Sequence, residues 1–124
     1  MALSVAIVFS NIKKQFLDSL QKKVSRLKFG LDDLNSNSFG PLVSKDHLES
    51  VKNYIKISEE EGAKIIIDGR DLLKTKNSKK GYFIGPTIID NVQTNMTSYK
   101  NEIFGPVLQV IEIDKILDAI SIIN

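Results

Sequence analysis

The sequence predicts an α/β protein, because short apolar runs that suit strands alternate with longer amphipathic runs that suit helices. Leu3–Phe9 is β-branched and aromatic, with a polar residue only at Ser4, which indicates a strand buried on both faces. An amphipathic stretch follows it directly. A second apolar run, Val107–Ile113, is also followed by an apolar-periodic stretch. A sheet flanked by helices is therefore expected, and the strand-then-helix order makes half of a βαβ unit.

The first helix is predicted to begin at Ser10 or Asn11, either of which can cap it, and to stop at Gly30. Its apolar residues recur every three or four positions and predict one stripe that packs on the sheet. The stripe consists of Ile12, Phe16, Leu20, Val24 and Leu27. The polar residues 32–38 that follow are typical of a loop.

A second helix is predicted after Ser44, which suits an N-cap position, with Val43 and Leu48 as a hydrophobic staple. Its buried side is predicted to hold Leu48, Val51, Tyr54 and Ile55. Gly62 is the predicted stop. Residues 59–61 are all glutamates, which oppose the helix macrodipole at this end, so fraying is expected there.

The next predicted strand is Ala63–Ile67, which is expected to be buried. Tyr82–Ile84 and Thr87–Ile89 are predicted to be extended on either side of a Gly-Pro pair. Pro86 has no N–H to donate, so it favours an edge strand or a bend over a central strand.

Val107–Ile113 is predicted to be a buried strand, and Asp114 is predicted to cap a last helix. Met96 and Tyr99 are expected to anchor the polar segment before that strand. The apolar stripe of the last helix is predicted to be Ile116, Leu117, Ile120 and Ile123. A strand that begins at residue one and a helix that stops at Asn124 predict that the chain is a piece of a larger domain.

Composition narrows the possible functions. The chain has 124 residues, of which 42% are hydrophobic and 26% charged, so it is globular and no longer than one domain. Its net charge of +2 comes from intermixed signs without a basic, aromatic-rich stripe, so no nucleic-acid partner is expected. Without cysteine, this chain cannot provide disulfides, thiolate metal sites or a thiol nucleophile, which fits a reducing compartment. No apolar run approaches the ~20 residues of a membrane span, and residues 1–9 are interpreted as a strand rather than a signal peptide.

Few residues are candidates for chemistry. His47 is interpreted as an exposed histidine near a helix start, with no partner signal nearby. No Asp/Glu/His set has metal-ligand spacing, and neither a glycine-rich phosphate loop nor a nucleophile elbow occurs.

Glu102 and Phe104 form the strongest candidate site, on a loop just before the strand 107–113. One interpretation is a surface carboxylate beside a core ring. The other is a ligand site, in which the carboxylate accepts hydrogen bonds from two ribose hydroxyls and the ring packs on a planar cofactor. The spacing permits both interpretations.

Residues 100–107, Lys-Asn-Glu-Ile-Phe-Gly-Pro-Val, resemble the E-E-I-F-G-P-V motif of the aldehyde dehydrogenase superfamily. Residues 81–88 resemble its G-x-F-x-x-P-T-I segment, and 39–43 and 61–64 resemble its G-P-L-I and E-G-A-K segments in the same order. The resemblance covers essentially the whole chain. Asp68-Gly69-Arg70 and residues 95–100, Asn-Met-Thr-Ser-Tyr-Lys, are most similar to the CoA-acylating methylmalonate-semialdehyde dehydrogenase subfamily.

This resemblance implies a site and a chemistry. The family oxidises an aldehyde through a cysteine thiohemiacetal, passes hydride to NAD, and releases the acyl group from a thioester, in this subfamily to CoA. It implies that Glu102 binds the nicotinamide ribose and that Phe104 borders the nicotinamide. The implied partners are a small aldehyde and CoA, in a homo-oligomeric enzyme of the cytoplasm or mitochondrial matrix, with no nucleic acid, membrane or metal.

The sequence also departs from the family pattern. Residues 1–4 resemble those that follow the family's Q-R-C, so the nucleophilic cysteine is expected just before Met1. The resemblance implies that residues 1–124 are part of the catalytic domain, an incomplete Rossmann-like α/β sheet with flanking helices, without the cofactor-binding domain or the oligomerisation segment. No catalytic residue is expected in this chain, which is predicted to be inactive alone. The alternatives are a generic NAD(P)-dependent aldehyde dehydrogenase that uses water, or a non-catalytic α/β module whose partner chain supplies the cysteine.

Overall fold

The computed structural model describes residues 4–28, 39–74 and 81–124. The strands are β1 Val5–Phe9, β2 Lys64–Ile67, β3 Thr87–Asp90 and β4 Val107–Ile113; the helices are α1 Ser10–Val24, α2 Lys45–Glu60, α3 Thr97–Lys100 and α4 Ile116–Ile123. A 3-10 helix covers Gly69–Lys74. The predicted stop at Gly30 and the predicted loop 32–38 lie outside the described residues.

The four strands form one sheet in the order β1-β4-β3-β2. β4 is parallel to both of its neighbours, and β2 is antiparallel to β3. Helix α1 covers one face, where Leu17 packs with Val8, Ile88 and Val110. Helix α2 covers the other face with Val51 and Ile55, and α4 adds Ile122 at the side. The predicted α/β class is confirmed.

Burial within the sheet depends on strand position. β4 has the predicted bounds and lies inside the sheet, and β3 is buried along its whole length. β1 and β2 are the edge strands, so they are mostly half-buried, and the predictions of full burial are wrong for Val5–Phe9 and Lys64–Ile67. Ala63 is buried as predicted, and Leu3 lies outside the described residues. The edge-strand interpretation of Thr87–Ile89 is also wrong. Pro86 precedes the first ladder residue, so its missing N–H costs the central strand nothing.

The cap and the buried side of α2 are confirmed. Ser44 Oγ accepts a hydrogen bond from the His47 backbone N–H at 3.1 Å, and the chain turns after the helix at Gly62, whose φ is +100°. The predicted staple is wrong, because Val43 is 88% exposed. The terminal glutamates have partners that offset the unfavourable macrodipole: Glu59 pairs with Arg70, and Glu61 binds the first residue of α3.

The caps and stripes of α1 and α4 differ from prediction. Neither Ser10 nor Asn11 caps α1, which begins at Ser10; instead Ser10 Oγ donates to Asp114, which therefore does not cap α4. Lys115 is the N-cap residue of α4, and its backbone N–H donates to Asp118 Oδ2 at 3.2 Å. The face of α1 that meets the sheet is centred on Leu17, so the outer stripe positions Ile12 and Leu27 are exposed.

The predicted stripe of α4 is exposed along its whole length, and Ala119 with Ile122 faces the core instead. Six of the eight α4 residues are apolar, so the pattern did not single out one face.

Candidate functional site

The loop 101–106 connects α3 to β4 and carries both predicted site residues. Glu102 is exposed, Ile103 is buried in the α2 side of the core, and Phe104 is 67% exposed. This alternation leaves the carboxylate and the ring in solvent on either side of a buried anchor. The interpretation of Phe104 as a core ring is therefore wrong, and the predicted anchors Met96 and Tyr99 are confirmed as buried and half-buried.

Glu102 has a free carboxylate. Among residues 4–28, 39–74 and 81–124 it makes no hydrogen bond and no ion pair. An ionised carboxylate accepts hydrogen bonds at two oxygens, and vicinal hydroxyls can donate to both. The side chain is thus available for a ligand that carries paired donors.

The loop is anchored to the segments on either side of it. Asn101 donates to the Thr97 carbonyl from its backbone N–H at 3.2 Å and from Nδ2 at 2.8 Å. Inside the fold, Gln109 Nε2 donates to the Ser98 carbonyl at 3.1 Å, which fixes α3 against β4. The loop therefore has a defined conformation without a ligand.

Helix α2 contacts the loop from behind. A Cβ built on Gly105 would lie 3.0 Å from Val51 Cγ2, so the loop backbone packs directly on the helix. One turn earlier, His47 Nε2 contacts the carbonyl oxygen of Phe104. Sequence reasoning missed this role of His47, because 57 residues separate the partners and no local pattern connects them.

The loop lies at the edge of the sheet where the parallel strands start. Thr87 N–H, at the start of β3, donates to the Pro106 carbonyl at 2.8 Å, and Gln109 N–H donates to the Ser4 carbonyl before β1 at 2.9 Å. The amino ends of β1, β3 and β4 therefore meet here, and we call this side the amino edge. Ligands in open α/β sheets usually bind at the carboxyl ends instead.

At the opposite edge, which we call the carboxyl edge, Lys13 of α1 forms ion pairs with one carboxylate near the end of β3 and one near the end of β4. Its Nζ lies 3.0 Å from Asp90 Oδ2 and 2.5 Å from Glu112 Oε2, and it donates to Asn91 Oδ1 at 2.9 Å. Burial lowers the pKa of Lys13, but hydrogen bonds and charge attraction from Glu112 and Asp90 outweigh it, so the net pKa is raised. Both carboxylates therefore already have a cation as partner.

The Asp68-Gly69-Arg70 triplet is also occupied by structural contacts. Arg70 Nε lies 2.8 Å from Asp68 Oδ1, and an Arg70 terminal nitrogen lies 3.2 Å from Glu59 Oε2. Hydrogen bonding to Asp68 is the main cause that raises the pKa of Arg70. The triplet links the end of β2 to the end of α2.

The described residues offer neither a metal site nor a membrane-spanning helix. Where the structure describes the chain, no group of three His, Asp or Glu side chains is placed to hold a metal ion. No helix of the described ranges is long and apolar enough to cross a membrane.

Comparisons with known proteins match the whole chain. The methylmalonate-semialdehyde/malonate-semialdehyde dehydrogenase [acylating] of Bos taurus is 45% identical over 124 residues, which is 100% of this chain and 23% of the relative. The crystal structure of methylmalonate-semialdehyde dehydrogenase from Oceanimonas doudoroffii superimposes with a TM-score of 0.91 at 40% identity, over 98% of this chain and 25% of that one. Betaine aldehyde dehydrogenase from Staphylococcus aureus in complex with NAD+ gives a TM-score of 0.86 at 31% identity, over 98% and 24%.

The chain thus spans about a quarter of the length of the relatives it matches. The family model described as "Aldehyde dehydrogenase family" matches residues 1–124. The chain belongs to the aldehyde dehydrogenase family.

Proposed function

We propose that this chain forms part of the nicotinamide site of an NAD-dependent, CoA-acylating malonate- or methylmalonate-semialdehyde dehydrogenase. The observation that carries the proposal is that Glu102, whose carboxylate has no partner among the described residues, lies on the same loop as the exposed Phe104 ring, and that α2 holds this loop from behind. Glu102 accepts hydrogen bonds from the two hydroxyls of the nicotinamide ribose. Phe104 packs against the nicotinamide ring.

The residues present fit that cofactor. A ribose offers two adjacent O–H donors, and the free carboxylate of Glu102 offers two acceptors. A planar ring needs an apolar surface, and Phe104 provides one in solvent. When bound, NAD supplies the hydride acceptor of the oxidation.

The thiol chemistry has to come from outside these 124 residues, since the chain contains no cysteine. In the proposed reaction a thiolate adds to the aldehyde carbon, and hydride passes from that carbon to the nicotinamide, which leaves a thioester. The CoA thiol then takes the acyl group as the bond to the cysteine sulfur breaks, which frees the thiolate again. The amino end of β1 lies at the amino edge beside β4, so a residue that precedes it approaches the side on which Glu102 and Phe104 lie. The part played by this chain is to hold and orient the ribose and nicotinamide.

CoA, rather than water, is proposed as the acyl acceptor. The support is the identity to the relative from Bos taurus, whose name specifies acylation, together with the Asp-Gly-Arg triplet and residues 95–100. A homo-oligomeric assembly and a location in the cytoplasm or the mitochondrial matrix belong to the same proposal, the latter supported by the mitochondrial relatives.

An NMR titration of the 124-residue chain with NAD+ tests the site. We expect NAD+ to shift the amide signals of residues 101–106 more than those of the carboxyl edge. Glu102→Gln removes the charge and should weaken binding about tenfold, in the range of a charge-assisted hydrogen bond. Glu60→Gln, another exposed carboxylate, is the matched control and should leave the affinity unchanged.

Shifts that map away from the loop, or a Glu102→Gln chain that binds like wild type, would overturn the assignment. A second measurement tests the division of roles. The chain mixed with malonate semialdehyde, NAD+ and CoA should produce no NADH, and measurable turnover would contradict the proposed thiol mechanism.

A further inference from the structure

We propose that His47 is a positioning residue, which donates a hydrogen bond from Nε2 to the Phe104 carbonyl and so fixes the backbone from which the Phe104 ring projects. The proposal deepens the proposed function and rests on it, because the ring matters only if it borders a ligand. It starts from the contact between the His47 imidazole and the loop.

The backbone of His47 is held independently of its ring. Its N–H donates to Ser44 Oγ, the cap of α2, at 3.1 Å. The first turn of the helix is therefore ordered by the cap, and the imidazole projects from a fixed point towards the loop. A carbonyl oxygen only accepts hydrogen bonds, so the contact requires a proton on Nε2.

The carbonyl that His47 contacts belongs to the peptide group between Phe104 and Gly105. Gly105 packs against Val51, which lies one helical turn after His47 on the same face of α2. The helix thus contacts this stretch at two successive points, one polar and one apolar. The polar contact restrains the carbonyl of this peptide group, and its N–H is bonded separately to the Ile103 carbonyl.

Two backbone hydrogen bonds hold the rest of the turn. Gly105 N–H donates to the Ile103 carbonyl at 2.9 Å, and Val107 N–H donates to the Gly105 carbonyl at 2.8 Å. Ile103 is buried, so the residue before Phe104 is also fixed. The backbone from which the Phe104 ring projects is thus held at Ile103, at the Phe104 carbonyl and at Gly105.

The test uses three variants of the 124-residue chain. His47→Ala removes the donor, and His47→Gln keeps an N–H donor on a side chain of similar reach. Asn53→Ala changes an exposed residue of the same helix and is the matched control. NMR measures the imidazole nitrogens, the Phe104 carbonyl carbon and the exchange rate of the loop amides, all without NAD+.

In the wild type we expect the proton on Nε2. In His47→Ala the Phe104 carbonyl signal should shift and the Gly105 amide should exchange about fivefold faster, the equivalent of one hydrogen bond. His47→Gln should restore both signals, and Asn53→Ala should change neither. Affinity for NAD+ should fall about fivefold in His47→Ala and recover to within about twofold of wild type in His47→Gln. The reason is that loop exchange and NAD+ affinity both depend on the hydrogen bond to the Phe104 carbonyl.

Unchanged Gly105 exchange in His47→Ala would overturn the proposal, and so would a looser loop with wild-type NAD+ affinity. A wild-type proton on Nδ1 would overturn it even if His47→Ala does not fold. Failure of the proposed function has a different signature: NAD+ then fails to shift the loop of the wild type, whatever the NAD-free measurements show.

Discussion

The two edges of the parallel strands use carboxylates in opposite ways. At the carboxyl edge, Asp90 is 4% exposed, and it shares the Lys13 ammonium with Glu112. At the amino edge, Glu102 is exposed and makes no ion pair with any described residue. The loop that carries it is nevertheless held by contacts on three sides.

This difference distinguishes a carboxylate that stabilises the fold, Asp90, from one that is accessible to a ligand, Glu102. A buried carboxylate needs its cation, so the Lys13 arrangement contributes to stability and offers little to a ligand. A carboxylate left in solvent costs little to expose, and the backbone that carries Glu102 is already held in place. The proposed binding site of this chain lies at the amino edge, although a sheet of this class usually binds ligands at the carboxyl ends.

Gly69→Ala should have the largest effect and tests the rigidity of the amino edge. A Cβ at Gly69 would lie 1.8 Å from the Gly85 carbonyl oxygen and 2.6 Å from Thr87 Oγ1. The backbone before β3 would have to move, which should cost about 3 kcal/mol or more of unfolding free energy. Urea unfolding measures it.

The matched control is Gly40→Ala, because within the described part of the chain no atom lies within 4 Å of the Cβ built there. It should change stability little. A Gly69→Ala chain with the wild-type urea midpoint would show that the backbone at the amino edge moves at little cost. The amino edge could then not be called rigid.

Lys13→Met should have the next largest effect and tests the carboxyl edge. It leaves the Asp90 carboxylate buried without its cation, which should cost about 3 kcal/mol. Adding Asp90→Asn should recover more than half of the loss, since the uncompensated charge is removed. Lys14→Met, at an exposed neighbouring position, is the control. An equal, small loss of unfolding free energy in both lysine variants would show that Lys13 contributes no more to stability than an ordinary surface lysine.

The stability contributed by the Lys13 ion pairs at the carboxyl edge should depend on pH. The pKa of Lys13 is raised above the ordinary lysine value of 10.5, so the folded state holds this proton more tightly than the unfolded state. The stabilisation is complete below about pH 10.5 and is lost as the pH rises through the higher pKa of the folded state. The difference in unfolding free energy between wild type and Lys13→Met should therefore shrink in that alkaline range. A difference that grows there would contradict the assignment.

Glu61→Ala should have the smallest effect and tests how the amino-edge loop is supported. Glu61 accepts hydrogen bonds from Thr97 N–H at 2.8 Å and Thr97 Oγ1 at 2.5 Å, so it caps α3, which leads into the loop. Its removal should cost about 1 kcal/mol, typical of a lost cap. The macrodipole of α2 predicts the opposite sign, since a glutamate at a helix C-terminus is unfavourable. A stabilised Glu61→Ala variant would show that the dipole dominates, and Glu60→Ala is the matched control.

Local patterns predicted the parts of this fold that depend on neighbours in sequence. The Ser44 cap and the buried side of α2 follow from adjacent residues, and the bounds of β4 follow from one apolar run. The exposed Glu102 on a loop before β4 was found in the same way. The parallel pairing of β4 with both neighbours had no such signal.

The errors arose where distant contacts decide the outcome. Asp114 is of a residue type that commonly caps helices and it precedes α4, but its side chain accepts a hydrogen bond from Ser10 instead. Pro86 suggested that β3 is an edge strand. The position of β3 in the sheet is set by its pairing with β2 and β4, and Pro86 lies just before the first paired residue. His47 had no partner nearby in sequence, and its contact with Phe104 exists only once α2 lies on the loop.

The pairing of β1 with β4 has a consequence for the order of folding. The bond between Ser10 and Asp114 spans 104 residues, whereas β2, β3 and β4 pair within the stretch 64–113. Contacts this distant in sequence form slowly, because a long loop must close before they contribute. We expect the unit from α2 to β4 to assemble first, with β1 and α1 docking last and opening first in hydrogen exchange. The loop 101–106 would then acquire its shape before β1 docks beside β4.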